Sequence, residues 1–432
     1  MELGKTFASA TALSLVMASG AYAQSLTIAT VNNGDMIRMQ GLSSEFTEQT
    51  GIELEWVILE ENVLRQRVTQ DIATSGGQFD IMTIGMYEAP IWAERGWLVS
   101  LDGLPEEYDV DDILPAMRAG LSFEDSLYAA PFYGESSMVM YRTDLMEAAG
   151  LEMPEEPTWD DIAAAAAAMH SDDVNGICMR GRAGWGENMA FITTVANSFG
   201  ARWFDDNWTP QLDSPEWLEA VTFYNDLIQN YGPSGAANNG FNENLTLFQQ
   251  GRCGMWMDAT VAASFVTNHD DSVVADSVGF ALAPNKEGVD RRANWLWAWA
   301  LAIPAGTQQE EAALEFINWA TSKDYLELVA EREGWANVPP GSRTSLYENP
   351  NYAEVPFADM TLRSINAADP NNPTVDPVPY VGIQFVAIPE WSGIGTLAGQ
   401  EFSDMVAGRQ RPEQALERAQ ALVQDEMEAA GY

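Results

Sequence analysis

Apolar positions along the chain switch between two spacings, and the switches mark its elements. Residues 25–31 form a short apolar run that predicts a strand. Met36, Met39, Leu42 and Phe46 then recur at three- and four-residue intervals, a helical spacing that Gly51 closes. A second strand is predicted over 52–59, a helix over 62–74, a third strand over 79–84, and a helix over 87–95 with Gly96 behind it. This β-α-β-α-β order predicts an open parallel sheet, and such sheets bind ligands at the loops after the carboxyl ends of their strands. Those loops are 32–35, 60–61 and 85–88.

A second unit opens after residues 128–131. A β-rich stretch at 137–141 leads to the turn 154–157, and Thr158 caps a helix continued by Trp159, Asp160, Asp161 and the alanines 163–168. A strand at 176–180, a glycine-rich turn through Trp185, Gly186 and Glu187, helices from Met189 and Glu216, and a strand at 253–258 complete it. A strand over 278–283 ends at Pro284. Beyond it lie the tryptophan-rich run 294–304, a helix over 308–321 and a helical continuation over 324–332. The proline-rich stretch 339–389 reads as ordered but irregular connection before a final helix over 412–430. Two α/β units, with segments that return after the second, predict two lobes joined by more than one crossover, and therefore a cleft.

Residues 1–23 have the pattern of a secretory signal. Lys5 supplies the charged start, 6–18 the apolar centre, and Ala21, Tyr22 and Ala23 an A-x-A cleavage site, so the mature chain is expected to begin at Gln24. No other window approaches the ~20 apolar residues of a spanning helix, and the run 294–304 is about half that length. The expected product is soluble and exported. In an oxidising compartment Cys178 and Cys253 can pair if their two strands are neighbours, and the sequence leaves a disulfide and two buried thiols both open.

Composition narrows the function. The chain has 432 residues, 21 Lys+Arg against 64 Asp+Glu, two His and a formal charge of −43. Removing 1–23 takes out Glu2 and Lys5 and leaves that balance unchanged. Nucleic acids and anionic membranes select the opposite charge. With 46% hydrophobic and 10% aromatic residues, acidity does not mean disorder. His170 and His269 read as solvated residues, which leaves no nucleophile-histidine arrangement. The glycines match no phosphate-loop spacing, no EF-hand loop is present, and no cofactor is expected. Trp295, Trp297 and Trp299 alternate, which places them on one face of an extended segment. Together with Trp335, Trp391 and the carboxylates Glu135, Glu187 and Asp258 at strand or turn ends, they fit an aromatic platform for the C–H face of a carbohydrate, with acids accepting from its hydroxyls.

Six motifs carry a family resemblance across nearly all of the mature chain: FTEQTGI at 46–52, PFYGESS at 131–137, GWGEN at 184–188, MWMDATVAA at 255–263, WLWAWALAIP at 295–304, and VPYVGIQ at 378–384 continued by IPEW at 388–391. In these the chain resembles the family 1, maltose-binding-like, extracellular solute-binding proteins of ABC importers, and within them the sorbitol/mannitol-binding members. The resemblance implies a two-lobe α/β fold with three hinge crossovers, near Gly134, Pro284 and Pro339, closing like a flytrap on its ligand. It implies a first lobe of 24–134 plus 285–340 and a second of 135–284 plus 341–432. It places Glu135, Glu187 and Asp258 at sugar hydroxyls, Trp297 on the cleft-facing strand, Tyr87 as a first-lobe contact, Arg343 as a bidentate donor, and Asn33, Trp295 and Trp391 among the ligand-binding residues. Met189 stands where relatives often carry an aromatic, so the resemblance leaves the second lobe's stacking wall in question. The expected protein is a periplasmic, monomeric receptor that hands a neutral polyol to a membrane permease. The alternatives are a receptor for another mono- or oligosaccharide and an exported glycoside-processing enzyme that uses Glu135 and Asp258.

Overall fold

A computed structural model describes residues 24–432; the predicted signal at 1–23 lies outside the described residues. In chain order the strands are β1 (Ser25–Val31), β2 (Glu53–Leu59), β3 (Ile81–Ile84), a small hairpin of β4 (Ser122–Phe123) and β5 (Ser126–Leu127), β6 (Ala129–Glu135), β7 (Ser137–Arg142), β8 (Asn175–Cys178), β9 (Cys253–Ala259), β10 (Val278–Leu282) and β11 (Trp297–Ala302). β1 pairs in parallel with β2 and β3, as the alternation predicts. The sheet then departs from an all-parallel one. β11 returns from the second half of the chain and lies antiparallel between β3 and β6, giving the order β2-β1-β3-β11-β6. A second sheet has the order β10-β7-β9-β8.

Local sequence explains the ends of the elements that face the space between these sheets. Asn33 caps the helix Gly34–Leu42, its side chain accepting from the Met36 N–H. Glu60 does the same for the helix Glu61–Ala73 through the N–H groups of Asn62 and Val63. Thr158 and Asp161 form the reciprocal capping box expected of the alanine helix Trp159–Met169.

The chain passes between the sheets three times. β6 ends at Glu135 and β7 begins at Ser137, so Ser136 alone separates them. The second passage lies between Leu282 and Trp297. The third follows the helix Lys323–Glu333 and reaches the helix Ala358–Asn366, where Phe357 packs on Phe280 of β10. The first and third passages touch backbone to backbone. The Gly134 N–H donates to the Pro340 carbonyl at 2.9 Å, and a Cβ on Gly134 would lie 2.4 Å from the Gly341 oxygen. Gly341, at φ +69, would put its own Cβ 2.0 Å from the Gly134 oxygen, so only glycine permits this crossing.

Two segments differ from the sequence expectation. The proline-rich stretch contains the helices Thr344–Glu348, Pro350–Ala353 and Ala358–Asn366, and the helix Trp391–Val406 follows it unannounced. Its glycines are weak helix formers, yet two of them are what lets it pack. A Cβ on Gly395 would meet Trp185 at 2.7 Å, and the Gly399 carbonyl accepts from Asn188 Nδ2 at 2.8 Å. Close approach to the buried helix Asn188–Ser198 outweighs their weak helix propensity. Among the described residues no helix is long and apolar enough to cross a membrane.

Cys178 and Cys253 are joined by a disulfide with Cα atoms 6.0 Å apart, linking the neighbouring parallel strands β8 and β9. It closes a loop with a sequence separation of 75. Replacing both cysteines by serine is expected to lower the unfolding free energy by about 2–4 kcal/mol, read by urea denaturation. A reductant should reproduce the loss in the parent protein and do nothing further to the double variant.

Candidate functional site

A cavity lies between the two sheets, and both contribute its walls. The loops after β1 and β2 bring Asn33, Asp35, Glu60 and Glu61, with Arg65 one turn into the helix that follows, and β6 brings Tyr133 and Glu135. The opposite wall holds Arg180, Arg182, Trp185, Glu187 and Phe241. Trp295, Trp297 and Trp299 all line the cavity, so the alternation did place them on one face, and Gln384 completes the lining.

The walls are in contact at the mouth. Asn62 Nδ2 donates to the Ala183 carbonyl at 3.2 Å, Asn242 Nδ2 to the Asn32 carbonyl at 3.0 Å, and Arg182 pairs with Glu60 at 3.4 Å. Gly186 sits so close to the first wall that a Cβ there would lie 2.2 Å from Glu61 Oε1. This is a closed cleft.

Its charges are organised around Arg180. The Arg180 Nε and Nη2 donate to the fully buried Asp258 at 3.0 and 2.7 Å, and its Nη1 donates to the Gly186 carbonyl at 3.0 Å. Burial alone would lower the pKa of Arg180; Asp258 first, then Glu187, more than reverse that, so it is a permanent cation. Glu187 has Arg180 at 3.7 Å and Arg182 at 3.6 Å. Burial still pushes its carboxyl up to about 8, with the charge of Glu61 adding to the effect. Burial also pushes Glu135 up to about 8, Arg180 opposing and Asp258 and Glu61 adding. Asp35 is raised to about 6 by burial although Arg38 is bonded to it. Three lining atoms are buried with no hydrogen-bond partner: Asp35 Oδ2, Glu187 Oε2 and Trp297 Nε1. Beside the cavity the described residues therefore leave two acceptors and one donor unsatisfied.

Arg65 is a second fixed cation. It bonds Glu61 at 2.9 Å and Glu88 at 2.8 Å, and its guanidinium lies 3.9 Å from the Trp185 ring centre, 4.7 Å from Trp299 and 4.9 Å from Trp297. Part of the tryptophan platform is thus covered by the protein's own cation.

Of the residues expected at the ligand, the structure brings Asn33, Glu135, Glu187, Trp295 and Trp297 to the cavity and keeps four away from its lining. Tyr87 directs its hydroxyl to the carbonyls of Ile388 and Pro389, both at 3.2 Å, and rests against Trp185, so it ties one lobe to the other. Asp258 is saturated by Arg180, by Trp256 Nε1 and by the Ala259 N–H, and has no acceptor to spare for a hydroxyl. Arg343 is fully buried on the first-lobe side, donating to the carbonyls of Thr321 and Asp109 and reaching Asp112 at 3.4 Å, and cannot serve as a bidentate ligand donor. Trp391 is a core residue edge-on to Trp203 at 4.9 Å. Met189 is buried as well, and Trp185 and Phe241 supply the aromatic wall it leaves in question. Because Asp258 stands behind Arg180, it does not face Glu135 across a bond as a glycosidase pair requires. Sequence reasoning missed Arg65, Arg180, Arg182, Trp185 and Tyr133, and reached Asp35 only as part of the loop 32–35. Scarcity was the available signal for the arginines, since a chain with 21 cations places three of them around one cavity.

Comparison with known proteins agrees with this geometry. Residues 33–327 match the bacterial extracellular solute-binding protein family. A mannitol-binding protein of Pseudomonas aeruginosa is 56% identical over 413 residues, 95% of this chain and 94% of the relative. The crystal structure of an ABC transporter solute-binding protein from Agrobacterium vitis S4 with bound D-mannitol superposes with a TM-score of 0.94 at 63% identity, over 95% of this chain and all of that one. A solute-binding protein from Agrobacterium radiobacter K84 in complex with ribitol gives 0.82 at 25% identity, over 93% and 98% of the two chains.

Two outcomes follow from the buried charges. Arg180→Met strands Asp258 and is expected to cost about 3–5 kcal/mol in urea unfolding, whereas Arg343→Met should lower stability while leaving the cleft's ligand affinity unchanged. Because the carboxyl of Glu135 is raised from an ordinary 4.5 to about 8, the native state holds a proton that the unfolded chain has released across that window. Its contribution is therefore present at low pH and lost as the pH climbs towards 8. The ligand-free melting temperature should fall over that range, and Glu135→Gln should flatten the fall.

Proposed function

The chain belongs to the bacterial extracellular solute-binding protein family, and on that footing we propose that it is the periplasmic receptor of an ABC importer, closing on a hexitol of the mannitol type and presenting it to the membrane permease. The observation that carries this reading is the set of orphaned atoms on the cavity wall: Asp35 Oδ2, Glu187 Oε2 and Trp297 Nε1. An open-chain polyol offers hydroxyls that both donate and accept, and its C–H edge suits the indole faces beside them. The 56% identical relative named for mannitol and the 63% identical structure that holds D-mannitol support the same solute. A formal charge of −43 disfavours an anionic cargo.

The lobes are taken as 24–134 plus 285–343 and 135–284 plus 344–432, the boundary expected at 340 being moved beyond Arg343 because that residue is bonded to Thr321 and Asp109. The receptor is proposed to act as a monomer, exported by the signal at 1–23. A micromolar site needs roughly −8 kcal/mol, or about −0.7 per heavy atom of a hexitol, which lies within the small-ligand ceiling and demands near-complete burial. A closed cleft with its mouth bonded supplies that burial. Calorimetric titration with D-mannitol and D-sorbitol is expected to give one saturable site, with Trp297→Ala weakening it about tenfold or more. A flat isotherm for both solutes rejects the reading.

A further inference from the structure

The cleft carries more acid than its cations use. Five carboxylates line it against three guanidinium groups. Those guanidiniums are committed: Arg65 to Glu61 and Glu88, Arg180 to Asp258, Arg182 to Glu243 and the Asn238 carbonyl. Among the described residues Glu135, although 6% exposed, forms no ion pair, and Glu187 keeps its two arginines beyond 3.5 Å with Oε2 unpartnered. Glu61, Glu135 and Glu187 all line this one cavity, and the charge of Glu61 disfavours ionisation of the other two. Among the described lining residues one fully buried donor is unpartnered, the indole of Trp297.

A neutral hydroxyl satisfies such a place with a single proton. An alkyl ammonium does so with three donors, no acceptor and a positive charge, and it is protonated at neutral pH. Resting on the reading of this cleft as a hexitol site, we propose that Glu135 and Glu187 form a seat for a protonated amine, so that the receptor also captures amino-alditols, the cationic relatives of its polyol, whose ammonium replaces a terminal hydroxyl. Burial supports the same conclusion from the cost side. The two carboxyls hold protons in the empty closed cleft because no cation reaches them properly, and an arriving ammonium lets them ionise. The surface charge of the chain works in the same direction, because it raises the local concentration of a cation and lowers that of an anion.

The test is a calorimetric titration of the full mature chain at neutral pH with three solutes of equal carbon length: D-mannitol, 1-amino-1-deoxy-D-mannitol and 1-deoxy-D-mannitol. The two ends of mannitol are equivalent, so one amine serves for both. The deoxy compound removes the hydroxyl without adding charge and is the reference for the amine. The amine is expected to bind about tenfold or more tightly than the deoxy compound, the range of a charge-assisted hydrogen bond. That advantage should fall to within about threefold in Glu135→Gln or in Glu187→Gln; far-UV circular dichroism and a cooperative thermal melt report whether each variant is folded, and either variant alone suffices. Amine binding no tighter than that of the deoxy compound, with mannitol bound normally, overturns this proposal and leaves the hexitol reading standing. An amine advantage that survives both glutamines also overturns it. Flat titrations with all three solutes overturn the hexitol reading and this proposal together.

Discussion

A buried guanidinium has to be neutralised where it sits, and the arrangement of this cleft follows from how Asp258 does that for Arg180. Asp258 is at the end of the central strand β9 and Arg180 just past β8, so the pair stitches two neighbouring strands at their cleft ends. Once Asp258 is spent on Arg180, it cannot be a ligand acceptor, and the acceptors left belong to the lining carboxyls Asp35, Glu135 and Glu187. An isolated carboxylate there would be intolerable; two carboxyls flanking one fixed cation are tolerable, at raised pKa values, until a ligand arrives.

The same residues are tied to the passages between the sheets. Glu135 is the last residue of β6, Ser136 alone makes the first passage, and Trp297, opposite Glu135 in the sheet register, opens β11 directly after the second passage. Site and passage are thus one length of chain. Behind them Gly134 and Gly341 cross in backbone contact, which holds two of the three passages together. At the front, Arg65 of one lobe stacks on Trp185 of the other, and Gly186 removes the side chain that would hold them apart. In the closed cleft the cation–aromatic contact and the buried acids therefore occur together.

Much of this was legible in the chain because it is local. The alternation of Trp295, Trp297 and Trp299, the caps Asn33 and Thr158, and the first three strands are set by neighbours within a few residues, and the structure keeps them. What stayed hidden depends on distant partners. Nothing near Arg343 in sequence says that Thr321 and Asp109 will absorb it, nor does anything near Asp258 announce Arg180. The helix Trp391–Val406 was hidden for a related reason, since Gly395 and Gly399 weaken it locally and are kept for a contact with Trp185 and Asn188 that only the folded chain possesses. The pairing of Cys178 with Cys253 likewise needed the adjacency of β8 and β9.

The central claim is that the atoms left without partners on the cleft wall are those a polyol satisfies. The most direct measurement is a crystal structure of the mature chain with D-mannitol. The account predicts hydroxyl oxygens within about 3.2 Å of Asp35 Oδ2, Glu187 Oε2 and Trp297 Nε1, with the Arg180–Asp258 pair unmoved. Mannitol seated elsewhere, or bound while those three atoms stay unpartnered, would contradict it.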